Sequence, residues 1–163
     1  MSEQLKLIIQ SVKTELDKDP NGIIAGKINE GTTIKEKNFD PALQIYYDFL
    51  SECNGARFGA IDLFGAEILE KYQFMVSDIP GGDERWFYIG QILYEPLLFN
   101  KNDLKLYLFY RETEDVDPAD CLGYLDDFLM NYVFGKKYAE IIPDADNDEW
   151  YQLLKKLNMG ECG

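Results

Sequence analysis

The sequence predicts an α+β fold: a mainly antiparallel central sheet of about four to six strands, flanked by helices, in a single domain spanning residues 1–163. Three observations carry this. Segments with helical periodicity come first and last, and segments with strand periodicity lie between them, the order expected when helices are segregated from an antiparallel sheet. Two β-branched and aromatic runs, 86–93 and 104–110, face each other across the turn-forming Asn100-Lys101-Asn102-Asp103. Hydrophobic residues make up 46% and aromatics 14% of the 163 residues, which is enough to fill a core and excludes wholesale disorder.

The elements follow in order. Ser2 caps a first helix whose apolar stripe is Leu5, Ile8, Ile9, Val12 and Leu16. Asp19-Pro20-Asn21-Gly22 stops it. Residues 23–34 read as β, with Asn29-Glu30-Gly31 as the turn of a small hairpin. Asp40-Pro41 starts a second helix, a capping carboxylate followed by proline in the first turn. Its inner face is Leu43, Tyr46, Tyr47 and Leu50, widened by Phe49, and Asn54-Gly55 supplies a left-handed stop. Residues 57–64 read as one strand, 66–71 as a turn of helix and 72–76 as a second strand.

Pro80-Gly81-Gly82-Asp83 is a loop. In the strand 86–93, alternation places Trp86, Tyr88, Gly90 and Ile92 on one face and Phe87, Ile89 and Leu93 on the other. Pro96 interrupts before Leu97-Leu98-Phe99, and the return strand 104–110, apolar on both faces, belongs inside the sheet. Asp117-Pro118 starts a third helix with a stripe of Leu122, Leu125, Phe128, Leu129, Tyr132 and Val133, stopped by Gly135. After a short connector and the loop 143–147, Asp148 precedes a last helix, 148–158, built on Trp150, Leu153, Leu154 and Leu157.

Charge is concentrated. Residues 112–149 hold twelve carboxylates against Lys136 and Lys137, so this stretch carries −10 of the chain's −14. Such a field attracts basic proteins and repels nucleic acid and anionic membranes. With no apolar run near the roughly 20 residues that span a bilayer and no signal-peptide pattern at the start, the expected location is cytoplasmic.

The chemistry-bearing residues point away from catalysis. The chain has no histidine, so Cys-His dyads, Ser-His-Asp triads and histidine metal sites are ruled out. Cys53, Cys121 and Cys162 are too few and scattered for a disulfide framework or a zinc site. Asp144, Asp146 and Asp148 have the alternate spacing of a calcium-loop start, but Glu149 stands where the sixth-position glycine belongs and Lys155 where the twelfth-position carboxylate belongs. These charges are expected in a solvated loop capping the last helix. Glu114, Asp115, Asp117 and Asp120 form a charge run at a helix start rather than a buried carboxylate pair. Trp86, Tyr88, Tyr107 and Tyr110 are core or cross-strand aromatics before they are a stacking platform. No catalytic residue, metal or cofactor is assigned.

The run Tyr46-Tyr47-Asp48-Phe49-Leu50-Ser51-Glu52-Cys53-Asn54-Gly55 resembles a hallmark of the SUKH superfamily, that of the fungal cell-wall-synthesis regulator and many bacterial immunity proteins. Phe87-Tyr88-Ile89-Gly90, Leu98-Phe99, Leu106-Tyr107-Leu108-Phe109, and Phe128-Leu129 followed by Gly135 and Tyr138 are similar in order and spacing. The resemblance covers a core of about residues 5–142. It departs where Phe39-Asp40-Pro41 replaces a Leu-Pro pair, and the helix 148–158 lies beyond the common core.

The resemblance implies a non-enzymatic protein-binding domain, in bacteria one that neutralises a neighbouring toxin, often a nuclease. Tyr47, Phe49 and Leu50 would pack under the sheet, and Asn54, Gly55, Gly90 and Gly135 would be structural. Together with the charge, this leads to an expected basic protein partner, such as a nuclease toxin domain, met by Glu112, Glu114, Asp115, Asp117, Asp144, Asp146 and Asp148. The alternative is an intracellular scaffold or regulatory module related to cell-wall regulation, using the sheet face.

Overall fold

A computed structural model describes residues 1–18, 26–33, 40–109 and 120–157. The architecture is α+β. Helix α1 (Glu3–Asp17) begins where the Ser2 hydroxyl accepts from the Leu5 amide at 3.2 Å, and it buries Leu5, Ile9 and Val12. Asp40 accepts from the Ala42 amide at 3.0 Å and opens a 3-10 turn, Pro41–Leu43, that runs into α2 (Gln44–Glu52). That amide bond is the main reason the Asp40 carboxyl sits below its ordinary pKa. The Asp19-Pro20-Asn21-Gly22 stop and the Asp117-Pro118 start lie outside the described residues.

Seven strands form one antiparallel meander in which spatial order follows chain order: β1 (Gly26–Ile28), β2 (Ala56–Phe58), β3 (Ile61–Leu63), β4 (Trp86–Ile92), β5 (Glu95–Asn100), β6 (Lys105–Leu108) and β7 (Asp120–Tyr124). Between β3 and β4 come α3 (Ala66–Tyr72), a 3-10 turn (Gln73–Val76) and α4 (Gly82–Arg85). After β7 come α5 (Leu125–Phe128), continued by a wide π turn (Leu129–Val133), then α6 (Tyr138–Ile141) and α7 (Glu149–Lys156).

The strand count exceeds the expected four to six, for local reasons. Residues 57–64 are a hairpin rather than one strand, because Gly59 takes a left-handed φ of 65° in the two-residue turn between β2 and β3. The segment expected to open a third helix is instead β7, where pairing with β6 overrides the helical spacing of Leu122. Leu122 is still buried, now from a strand. Residues 26–28 pair with β2 rather than with a neighbour in their own hairpin. Gln73–Val76 is a 3-10 turn and not a strand; its Gln73 side chain bonds the backbone of Tyr88 twice, at 2.8 and 3.0 Å.

Two further expectations are corrected within β4 and β5. A bulge between Tyr88 and Gly90 resets the alternation, so Ile92 joins the core side with Ile89 rather than the Trp86 side. Gly90 is required there, since a Cβ would run into the Asp62 carbonyl. Pro96 does not interrupt; it lies inside β5 opposite Gln91, and its carbonyl accepts from Phe109 at 3.0 Å. β6 is internal, flanked by β5 and β7.

The inner face of the sheet meets α1, α2 and the C-terminal helices in one core. Trp150 of α7 is fully buried there against Phe58 and Phe134, with ring centroids 5.5 and 6.0 Å away. The last helix is thus built into the same core as the rest of the chain. On the outer face, Val76, Trp86, Tyr88 and Leu98 make a second, smaller cluster with Tyr107 and Phe109 packed against it. Trp86 and Tyr88 are therefore core aromatics; Tyr110 lies outside the described residues. Among the described residues no helix is long and apolar enough to cross a membrane.

Candidate partner-binding surfaces

The residues carrying the family-like motif are structural in their contacts. Phe49 and Leu50 are fully buried and Tyr47 is half-buried against the same core. Tyr46, also fully buried, donates its hydroxyl to the Phe64 carbonyl, and burial holds its pKa well above the ordinary value. Asn54 ties the end of α2 to the start of α3: its side-chain oxygen accepts from the Ala66 amide at 2.8 Å, and its amide donates to Glu67. Gly55 turns with φ 85° where its backbone meets Gly65. Gly135 is buried with no room for a Cβ beside the Met130 and Asn131 carbonyls. Cys53 is buried, and burial pushes its thiol up to about 12, so it is a packed side chain and not a nucleophile. Cys121 is exposed, and Cys162 lies outside the described residues.

The structure describes three of the seven carboxylates expected to meet a partner. Glu112, Glu114, Asp115 and Asp117 lie outside the described residues. Asp144, Asp146 and Asp148 sit together on a tight turn, Ala145–Asn147, that enters α7. Buried Ala145 and Trp150 pin this turn from beneath, which fixes the spacing of the carboxylates above. Each has an internal partner. Asp144, at a left-handed φ of 57°, accepts from the Asn147 side chain at 2.8 Å. Asp146 pairs with Lys155 at 2.6 Å while its side chain stays 81% exposed. Asp148 caps α7 through the amides of Trp150 (2.8 Å) and Tyr151 (3.4 Å).

Asp148 has a second function that the sequence did not signal. It accepts the Tyr138 hydroxyl at 2.8 Å, and that hydroxyl oxygen in turn accepts from the Ala60 amide at 3.0 Å. Burial is the main cause that raises the Tyr138 pKa, so the hydroxyl keeps its proton. The relay locks the acidic turn onto the tip of the β2–β3 hairpin. Asp120 lies in β7, four strand spacings or roughly 19 Å from β3. The described acidic residues therefore occupy two separated regions, and the 144–149 turn stands at the β2–β3 end.

The other feature at that end is the uncovered half of the outer sheet face. One register row crosses it: Lys27 opposite Arg57, Arg57 opposite Asp62, Asp62 opposite Gln91. Arg57 Nε stands 3.9 Å from Asp62, and Gln91 donates to the other Asp62 oxygen at 3.3 Å. A cavity of about 280 Å³ lies on one side of this row, running to Leu93, Tyr94 and Asp148. A second, of about 290 Å³, runs to Asn54, Phe64 and Ile68.

Leu93 and Tyr94 form the two-residue turn between β4 and β5, both at positive φ (50° and 70°) and both exposed. Asn-Gly is the usual pair for such a turn. The sequence gives no cue to a turn at Leu93-Tyr94, because both are strand-favouring residues. Among the described residues no group of three or more cysteines or carboxylates is placed to hold a metal. No family model matches the chain, and neither the curated proteins nor the solved structures contain a match to it.

Proposed function

We propose that the chain is a non-catalytic protein-binding domain of the immunity type, which neutralises a basic, nuclease-type toxin by covering its phosphate-binding face. The observation that carries this reading is the pinned acidic turn, with Asp144, Asp146 and Glu149 exposed above buried Ala145 and Trp150. Carboxylates held on a rigid turn keep their spacing before a partner arrives, so little ordering is lost on binding. A nuclease needs a cationic face for its substrate, and an acidic protein seated there excludes the nucleic acid. The concentration of −10 within residues 112–149 would speed encounter by steering.

The test uses the purified protein and the product of the adjacent gene. Expected are a stable complex, protection of cells expressing that neighbour, and an association rate that falls at least tenfold between low salt and about 0.5 M salt. Asp144→Asn with Asp146→Asn should slow association while leaving the fold intact. Absence of a complex, or a complex whose association ignores salt and both substitutions, rejects the proposal.

A further inference from the structure

We infer that the uncovered half of the outer sheet face is a second binding surface, for an extended peptide segment in which a carboxylate side chain is flanked two residues away on each side by apolar ones. It is separate from the acidic turn and stands or falls independently of it.

The first support is electrostatic. Lys27 and Arg57 are direct cross-strand neighbours, and both are exposed. Like charges in that position repel and weaken a sheet. In a chain of net charge −14 with 30 carboxylates, two cations share this spot with one, Asp62. Asp62 reaches only the Arg57 Nε, at 3.9 Å, and is shared with Gln91. Among the described residues neither Lys27 nor Arg57 has another ion pair or hydrogen bond. The outer edge of the guanidinium and the Lys27 ammonium are left facing solvent, the geometry that receives a carboxylate through a charged fork.

The second support is shape. The two cavities share Arg57 and Asp62, so they lie on either side of the charged row. One is walled by Leu93 and Tyr94, the other by Phe64 and Ile68. Along β3 the distance from Ala60 to Gly65 is five residues, roughly 16 Å. In an extended ligand, side chains at positions 1, 3 and 5 point the same way and span roughly 13 Å. The central one meets Lys27 and Arg57 while the outer two enter the cavities.

The third support is the turn itself. Leu93 is 43% and Tyr94 77% exposed, large apolar side chains at positions whose positive φ favours asparagine and glycine. Backbone strain of this kind persists where the side chains serve a purpose other than turning the chain, and tyrosine is a frequent anchor in interfaces. The overall negative field slows an acidic ligand's approach, but at physiological salt it is screened beyond about 8 Å, so the local cation pair governs the bound state.

The test pans a phage-displayed library of random dodecapeptides against the full chain and measures labelled synthetic copies of the enriched sequences by fluorescence anisotropy. The expected consensus is apolar, any, Asp or Glu, any, apolar. Replacing the peptide's carboxylate by its amide should weaken binding about tenfold, as should Arg57→Gln or Lys27→Gln in the protein. Tyr94→Ala should also weaken it, while Asp146→Asn should not. Because the protein side chains changed are exposed, circular dichroism should show the fold unchanged. No enrichment, a basic consensus, or enriched peptides indifferent to Arg57→Gln would each overturn the inference.

Discussion

Asp148→Ala tests the joint between the acidic turn and the sheet. The carboxylate caps α7 through two amides and accepts the Tyr138 hydroxyl, which in turn holds the Ala60 amide. Loss of an N-cap costs about 1 kcal/mol. Loss of a hydrogen bond to a charged acceptor costs about 1.5–3 kcal/mol. The variant should therefore be less stable by about 3 kcal/mol, a fall in Tm of about 6–12 °C for a chain of this size. Tyr138→Phe removes the same bond and strands the Ala60 amide, at a cost of about 2 kcal/mol. The two share one interaction, so the double variant should be more stable than the sum of the singles implies by about 1.5 kcal/mol. Urea titrations followed by the fluorescence of buried Trp150 and Trp86 measure all four proteins. Asp146→Asn, which removes only an exposed ion pair, should cost less than about 1 kcal/mol and serves as the control. Single effects that add to within about 0.3 kcal/mol, or an Asp148→Ala cost near that of the control, would refute the relay.

The remaining expectations concern strain and titration. Replacing Leu93-Tyr94 by Asn-Gly should raise stability by about 1–2 kcal/mol, since it puts φ-tolerant residues at 50° and 70°; a lower urea midpoint would contradict this. Iodoacetamide at pH 8 should label Cys121 in the native protein and spare Cys53; comparable labelling in peptide mass maps would disprove the packed-thiol reading. Alkaline pH should destabilise the fold. Burial raises Cys53 to about 12 and lifts Tyr46 and Tyr138, so the unfolded chain loses these protons first. The contribution is intact below the unfolded thiol value of about 8.5, and falls from there as the thiol and then, above about 10, the tyrosines ionise in the unfolded state. Cys53→Ala should shift the onset to about pH 10, and a urea midpoint constant from pH 8 to 11.5 in the parent protein would overturn the assignment.

Much of the helical frame was legible because capping is local. Ser2, Asp40 and Asp148 each accept the backbone amides that their positions in the sequence implied. The strands were less legible because pairing partners are remote. β7 carries helix-like spacing through Leu122 and Leu125, yet its first five residues are claimed by β6. The bulge at Gly90 is invisible to alternation, and only the close approach of the Asp62 carbonyl explains it. At the site, the acidic turn could be read from its charge, whereas the Tyr138 relay and the Lys27–Arg57 row depend on contacts between segments more than thirty and up to ninety residues apart in sequence.

The placement of Trp150 has a consequence for biosynthesis. The strands join one after another as the chain emerges, but the inner flank of the first hairpin is roofed by the last helix, where Trp150 lies on Gly26 and Phe58. A ribosome that has released β1 to β7 has still to deliver that lid. Until it does, Phe58 and Phe134 stay wet, so the aromatic seal forms only on a finished polypeptide and a prematurely ended one is marked by greasy surface for chaperone or protease.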